Sequence, residues 1–159
     1  MSLNNVVKLY VLGCSMGVHS RILFICTGNY YRSRFAEAVF NHHAELRHIP
    51  WTAFSRGLAV HLAVGYLSPL TLQALGERKI ELRHTGSDRR QLSEADLLHS
   101  DRRIALDRSE HFAMILGQFP HWVHKIEYWD VPDVLFESHL RALPEIERRT
   151  LQLLKEVSK

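Results

Sequence analysis

Apolar runs and segments with helical spacing alternate along the chain. The first apolar run, residues 21–25, is continuous, as expected for a strand buried on both faces of a sheet. Residues 33–43 follow with helical periodicity, and their predicted apolar face consists of Phe35, Ala36, Val39 and Phe40. Because strand-like and helix-like segments keep alternating, the pattern predicts an α/β domain with a central parallel sheet of about four strands and helices on both faces.

The later elements follow from the same signals. Further strands are predicted at 51–54, 103–106 and 125–129, and further helices at 68–79, 109–119 and 144–157. Ser68-Pro69 and Ser93 are typical of helix N-termini. The positions predicted to face inward are Phe112, Ile115, Leu116 and Phe119 in one helix and Ile146, Leu153 and Val157 in the last.

Composition limits the classes of function. The chain has 159 residues, enough for one packed domain, and a net charge of +3, which suits an anionic substrate. No Lys/Arg-rich run is present, so no nucleic-acid partner is expected, and no apolar span has the length of a membrane helix. Two cysteines are too few for a disulfide scaffold, and we expect a cytoplasmic protein.

The N-terminal 20 residues are predicted to be an extension, either an extra strand or a poorly ordered segment, before a domain at residues 21–159. The apolar run from Val6 to Cys14 ends in Gly-Cys, which resembles a lipoprotein signal. Lys8 interrupts that run and no basic segment precedes it, which argues against export. Cys14 is assigned no catalytic role, because no Arg-Ser pair and helix follow it at the required spacing.

The loop after the first strand carries the most specific pattern, a cysteine separated by five residues from Arg-Ser. A strand-to-helix loop can turn backbone N–H groups toward an anion, and the helix dipole adds positive potential. Gly28 and Asn29 suit the unusual backbone angles of such a loop, and the guanidinium of Arg32 matches two phosphate oxygens. This potential favours a nucleophilic thiolate at Cys26, to which Ser33 can donate a hydrogen bond. The predicted phosphate-binding residues are Thr27, Gly28, Asn29, Tyr30, Tyr31, Arg32 and Ser33.

At these residues the sequence resembles the low molecular weight protein tyrosine phosphatases. The resemblance rests on CTGN at 26–29, RS at 32–33 and AEAVF at 36–40, and it extends over most of the chain after residue 20. It implies the phosphotyrosine protein phosphatase I-like fold. Further similar segments are Ser55-Arg56-Gly57, LSPLTLQAL at 67–75, His84 with Gln91-Leu92, Asp96, and YWDVPD at 128–133.

The resemblance also implies roles for individual residues. Cys26 would be the nucleophile that forms a cysteinyl-phosphate, Arg32 would hold the phosphate, and Asp133 would protonate the leaving oxygen and then activate water. Asp130 remains an alternative general acid. No metal or other cofactor is expected. The hydrogen-bonded support of the loop would come from Asn29, Ser33, Ser55 and His84.

The implied substrate is a phosphorylated protein or a small aryl phosphate, with phosphate, sulfate or vanadate as site ligands. The sequence departs from the family in four respects, one being that the first 20 residues have no counterpart. Tyr31 stands where the family often has a second cysteine, and Arg34 stands where it usually has proline, adding charge near the site or facing solvent. Val134, Leu135 and Phe136 follow Asp133 in place of the usual proline and aromatics, so Tyr30 and Tyr31 are candidates to replace part of the pocket wall.

Two other functions remain open from the sequence. An arsenate reductase on the same fold would commonly need further cysteines, and none follows Cys26. A non-catalytic module that binds a phosphorylated partner would need neither Cys26 nor Asp133. The leading hypothesis is therefore a phosphatase.

Overall fold

The structure is a computed structural model that describes residues 19–133 and 139–159, and its centre is a parallel four-stranded sheet. The strand order is β2-β1-β3-β4, and every pairing is parallel. This confirms the predicted α/β architecture. The strands are β1 (Ser20–Cys26), β2 (Trp51–Gly57), β3 (Arg102–Ala105) and β4 (Glu127–Tyr128).

Five α-helices cover the sheet in the described part of the chain. Ser68 caps α2 by accepting a hydrogen bond from Leu70 N, with Pro69 in the first turn, and Ser93 forms a capping box with Asp96 at α3, as the sequence predicts. The helices are α1 (Arg32–Leu46), α2 (Pro69–Glu77), α3 (Glu94–Leu98), α4 (Arg108–Gln118) and α5 (His139–Val157).

The strand β1 lies at the centre of the protein and separates two apolar cores. Ile22 and Phe24 belong to one core, with α1 and α5, whereas Leu23 and Ile25 belong to the other, with α4. All four side chains are fully buried, which confirms a strand covered on both faces. The predicted apolar face of α1 is also fully buried.

Two predictions about helices differ from the structure. Ile115 is fully buried, as predicted, but Leu116, which was also expected to face inward, is half exposed, because α4 turns His111 toward the sheet. The last helix begins at His139 rather than at Pro144, so the proline lies inside the helix. The proline signal therefore marked the sixth residue of the helix and not its start.

Some predictions fall on residues outside the described ranges. These concern the N-terminal run with Cys14 and the three residues that follow Asp133, namely Val134, Leu135 and Phe136. The proposed boundary at residue 20 stays a prediction. Across residues 19–133 and 139–159, no helix has the length and apolar character needed to cross a bilayer.

Candidate active site

The candidate site is a cleft of about 500 Å³ at the carboxyl end of β1, where Cys26 lies. Parallel sheets commonly bind ligands beyond this edge. The helix α1 begins five residues after Thr27, and no side chain caps its first turn, so its N-terminal amides face the loop without a protein carboxylate in their place. The lining residues are Cys26, Thr27, Gly28, Tyr30, Tyr31, Arg32, Leu62, Ala63, Val64, Ser68, Leu70 and Asp133.

The loop from Cys26 to Ser33 is held in place through its backbone carbonyls. Four of them accept hydrogen bonds from the segment between β2 and the first turn of α2. Since these bonds involve the main chain of the loop, they fix its shape before any ligand binds. The bonds run from Leu58 N to Cys26 O (2.9 Å), Ala59 N to Thr27 O (2.8 Å), Ser68 N to Tyr30 O (3.0 Å) and Thr71 Oγ1 to Tyr31 O (3.0 Å).

The two residues expected to adopt unusual backbone angles behave differently. Asn29 has φ of 49°, in the left-handed region that asparagine tolerates. Gly28 is not in that region, so the expectation for it was wrong. A Cβ on Gly28 would instead lie 3.0 Å from the Cβ of Ala63, which shows that close packing is the reason for glycine here.

A second glycine, Gly57, packs directly under the loop, and we expect Gly57→Ala to distort it. An added Cβ would lie 2.8 Å from Thr27 O and 2.9 Å from Asn29 N, and backbone atoms cannot move away cheaply. We expect a loss of about 1–3 kcal/mol in the free energy of unfolding, together with reduced phosphate binding, measured by urea titration and calorimetry.

The matched control is Gly117→Ala in α4, where an added Cβ would meet nothing within 4 Å. That substitution should leave phosphate binding unchanged and stabilise the helix slightly, because alanine has the higher helix propensity. Equal effects of the two substitutions would contradict the packing argument.

The thiol of Cys26 lies at the end of a chain of hydrogen bonds in which the donor and the acceptor of each bond can be assigned. Arg90 N donates to Asn29 Oδ1 (2.8 Å), which fixes the orientation of the Asn29 amide. Its Nδ2 then donates to Ser33 Oγ (3.0 Å) and Ser55 Oγ (2.9 Å). Because Ser33 Oγ already accepts, its own proton is free to donate to Cys26 Sγ, 2.9 Å away.

The chain continues away from the thiol to a buried carboxylate. Ser55 Oγ donates to Glu37 Oε2 (2.6 Å), and Thr85 Oγ1 donates to the same oxygen (2.9 Å). Burial raises the pKa of Glu37, while the bonds from Ser55 and Thr85 and the nearby Arg34 oppose this rise. Arg34 Nε lies 4.0 Å from the carboxylate and donates to Thr85 Oγ1 (2.6 Å).

The guanidinium of Arg32 is buried and also lines the cleft. Nη1 donates to Val131 O (3.0 Å) and Nη2 donates to Glu110 Oε1 (2.9 Å). Asp133 Oδ2 lies 3.9 Å from Nη2, and about three-fifths of the Asp133 side chain is exposed. The cleft therefore brings together a thiol, a guanidinium and a carboxyl group.

The structure brings Asp133, and not Asp130, to the cleft. Asp130 forms an ion pair with Arg149 and lines a different cavity, beside Asp107. Asp133 lines the same cleft as Cys26. The sequence left both aspartates open, and the geometry favours Asp133.

Comparison with known proteins identifies this combination of loop and fold. The family model for low molecular weight phosphotyrosine protein phosphatase matches residues 21–159. The chain belongs to this family. A curated relative, a protein-arginine-phosphatase from Bacillus subtilis (strain 168), is 29% identical over 150 residues, which are 87% of this chain and 97% of the relative.

Two solved structures of the family share the architecture. The low molecular weight protein tyrosine phosphatase from T. tengcongensis has a TM-score of 0.74 at 26% identity, covering 86% of this chain and 99% of that one. A mutant YwlE arginine phosphatase with a phosphorylated active-site serine has a TM-score of 0.73 at 27% identity, covering 87% of this chain and 96% of that one.

In this member of the phosphatase family, His84 does not reach the loop. Its backbone carbonyl accepts a hydrogen bond from Asn41, and its ring meets the ring of His42 in a T-shaped arrangement with centroids 5.4 Å apart. The neighbouring Thr85 contacts Glu37 instead. The hydrogen-bonded support of the loop that the resemblance implied for His84 thus comes from Thr85, the next residue.

Arg34 takes one of the two roles considered for it, because its charge lies near the site. The side chain is fully buried, so it does not face solvent. Its guanidinium donates to Thr85 Oγ1, to Tyr66 O (3.3 Å) and to the carbonyl of Gly86. This phosphatase therefore has a permanently charged side chain beside Glu37, among the residues whose hydrogen bonds support the loop.

The two tyrosines of the loop occupy different environments. Tyr30 is partly buried along the cleft wall, and its ring carbons lie near Gly65. Tyr31 is buried in the core, and its Oη has no hydrogen-bond partner among the described residues. Burial together with Asp133 raises the pKa of Tyr31 to about 12. Both line the cleft, and Tyr30 is the more exposed of the two to a substrate.

Sequence reasoning missed several polar residues of the site. Thr85, Glu110 and His111 belong to elements distant along the chain, and no local motif marks their contacts, whereas Glu37 lies in α1 directly after the loop. The acidic residue in the AEAVF segment was the one available signal, because a glutamate inside an apolar helix face requires a partner. No group of three or more potential metal ligands occurs within the described ranges.

Proposed function

We propose that this phosphatase hydrolyses phosphotyrosine or a similar aryl phosphate through a cysteinyl-phosphate intermediate, without a metal ion. The observation that carries the proposal is the common cleft of Cys26 Sγ, the Arg32 guanidinium and the Asp133 carboxyl group. Positioning and charge neutralisation are the main requirements of phosphoryl transfer. The loop amides and Arg32 supply both.

The reaction has two steps. In the first, the Cys26 thiolate attacks phosphorus, the bond to the aryl oxygen breaks, and Asp133 gives that oxygen its proton. In the second, Asp133 takes a proton from water, the water oxygen attacks phosphorus, and the S–P bond breaks to release inorganic phosphate and the thiolate. The hydrogen bond from Ser33 Oγ stabilises the thiolate as attacking and as leaving group.

The walls of the cleft support an aromatic leaving group. Tyr30, Leu62, Val64 and Leu70 line the cleft above the loop, and the side chains of Leu62 and Val64 are largely exposed. A flat aryl ring gains contact area against such side chains, whereas a short alkyl phosphate does not. Since the mechanism requires a reduced thiol, we propose the cytoplasm as the compartment.

Phosphoarginine in proteins is the second candidate substrate. The curated relative from Bacillus subtilis is a protein-arginine-phosphatase and covers most of this chain. Asp133 is the acidic residue that lines the cleft in the described part of the chain, and a carboxylate suits a guanidinium leaving group. A phosphotyrosine peptide and a phosphoarginine peptide of the same sequence therefore have to be compared directly.

We expect Asp133→Ala to lose rate in proportion to the basicity of the leaving group. With phenyl phosphate or phosphotyrosine, whose oxygen requires a proton, kcat should fall by roughly 10²–10⁴-fold. With p-nitrophenyl phosphate, whose oxygen leaves as a stable anion, the loss should be much smaller. Steady-state kinetics on a series of aryl phosphates measures the difference.

Asp130→Ala is the matched control, because Asp130 is a nearby exposed aspartate that pairs with Arg149 outside the cleft. Its kinetics should resemble the wild type with every substrate. A leaving-group effect in Asp130→Ala alone would move the general acid to that residue. Arsenate-dependent thiol consumption without phosphatase turnover would instead favour the arsenate reductase, and phosphate binding without turnover would favour a binding module.

A further inference from the structure

Glu110, in the first turn of α4, contacts both ends of the phosphate-binding loop. Its Oε1 accepts from Arg32 Nη2 (2.9 Å) and from the hydroxyl of Thr27, the residue next to Cys26. About a quarter of the Glu110 side chain is exposed, whereas Arg32 is nearly fully buried. One carboxylate thus links the first and last turns of the loop through side chains.

A buried histidine determines the direction of these bonds. Asp107 N donates to His111 Nδ1 (3.0 Å), so the ring proton lies on Nε2. Nε2 points at Thr27 Oγ1 (3.2 Å), which accepts from it and donates its own proton to Glu110. The hydroxyl of Thr27 therefore has one orientation, and Glu110 acts only as an acceptor.

The charge state of Glu110 agrees with this geometry. Burial alone would raise the pKa of Glu110, but the neighbouring His111 and Arg32 and the hydroxyl of Thr27 hold it well below its usual range. The side chain is thus a carboxylate at neutral pH.

The contacts of Arg32 leave part of its guanidinium available. A guanidinium has five N–H donors. Within residues 19–133 and 139–159, two of them hydrogen-bond, to Val131 O and Glu110, and Nη2 also lies 3.9 Å from Asp133 Oδ2. The remaining donors include one proton on each Nη and the Nε proton. With both Nη atoms anchored, the plane of the guanidinium cannot rotate, and its unused donors keep one direction.

We propose that Glu110 is a positioning residue that fixes the guanidinium plane of Arg32 and the hydroxyl of Thr27 for binding a phosphoryl group. Its effect on catalysis rests on the proposed phosphatase function. Its effect on phosphate binding does not require turnover. The alternative role is that of a competing counter-ion, which a phosphate must displace from Arg32.

Glu110→Ala and Glu110→Gln separate these roles. Alanine removes the acceptor for Arg32 and Thr27, so we expect inorganic phosphate and vanadate to bind roughly 10-fold more weakly and kcat/KM for p-nitrophenyl phosphate to fall roughly 10–100-fold. Glutamine keeps an acceptor oxygen and removes the charge, so phosphate binding and turnover should stay within about threefold of the wild type. Titration calorimetry and steady-state kinetics give the two readouts.

A third measurement excludes general misfolding. Urea unfolding depends on the fold and not on the plane of Arg32, so Glu110→Ala should keep a single cooperative transition with a midpoint close to that of the wild type. Glu45→Ala is the matched control, since Glu45 accepts a two-pronged hydrogen bond from an arginine, Arg83, on the exposed surface. It should change none of the three readouts.

Several outcomes would overturn the proposal. Tighter phosphate binding in Glu110→Ala or Glu110→Gln would make Glu110 a competing counter-ion. An equal loss in both variants would show that charge, and not orientation, is what matters. If the wild type binds phosphate and Glu110→Ala binds it tenfold more weakly, but neither enzyme turns over aryl phosphates, the proposed function fails and the positioning role of Glu110 stands.

Discussion

Cys26→Ser should lower turnover of p-nitrophenyl phosphate by roughly a thousandfold or more, because a serine hydroxyl in this loop is a far weaker nucleophile than a thiolate. The substitution should leave phosphate and vanadate binding nearly intact. The loop keeps its four carbonyl anchors and the Asn29–Ser33 hydrogen bond, neither of which involves the sulfur atom. Steady-state kinetics combined with calorimetric titration of phosphate tests both parts.

Cys14→Ser is the control for loss of a thiol elsewhere, since the sequence assigns Cys14 no catalytic role. It should turn over substrate at the wild-type rate. Undiminished turnover in Cys26→Ser would exclude covalent catalysis through this thiol. Loss of phosphate binding along with turnover would show instead that the sulfur atom is needed for the shape of the loop.

Arg34→Met is expected to lower the free energy of unfolding by about 3–5 kcal/mol, because it leaves the buried Glu37 without its nearby positive charge. The same substitution removes the donors that Thr85 and two backbone carbonyls now accept from. Because Glu37 accepts from Ser55 and Ser55 from Asn29, we also expect weaker phosphate binding. Urea unfolding monitored by tryptophan fluorescence gives the stability difference.

A double variant identifies the cause of this loss. Arg34→Met/Glu37→Gln removes both charges and keeps an acceptor oxygen for Ser55, so it should recover part of the stability lost in Arg34→Met alone. Arg83→Met removes an exposed arginine whose partners are surface carboxylates, and it should have little effect. A double variant no more stable than Arg34→Met would mean that lost packing, and not the unpaired carboxylate, is the cause.

The central part of the site could be predicted because its signals are local. An apolar strand, a loop with a cysteine and an arginine at fixed spacing, and an amphipathic helix follow one another within residues 21–43. The structure has each of these elements in the predicted order, and it brings Cys26, Arg32 and Asp133 to one cleft. The periodicity of α1 was reliable because its whole apolar face is buried.

The remaining contacts depend on three-dimensional packing that no local pattern reveals. Arg34 looked like a surface residue by type, because arginine is seldom fully buried, yet it lies under the loop with Glu37 as its nearest acidic group. The orientation of α4 was misjudged for a similar reason. His111 takes an inward position, with one hydrogen bond to Thr27 of the loop and one from Asp107 N, and the more hydrophobic Leu116 is turned outward.

The resemblance named the right kind of support but not every residue in it. His84 and Thr85 are adjacent, and a short 3-10 helix ending at His84 directs the side chain of Thr85 toward Glu37. A motif match cannot reveal that the supporting side chain belongs to Thr85 and not to its neighbour His84. Only the three-dimensional contacts of Glu37 identify it.

The four anchored carbonyls of the loop have a consequence for regulation. Because the loop is already held in its binding conformation, little conformational entropy is lost when an anion binds to it. The loop also offers the same contacts to the product, inorganic phosphate, as to the phosphoryl group of the substrate. If the proposed mechanism holds, we therefore expect inorganic phosphate to compete with the substrate for the empty enzyme. The surrounding phosphate concentration would then set a basal level of product inhibition, with no separate inhibitory site required.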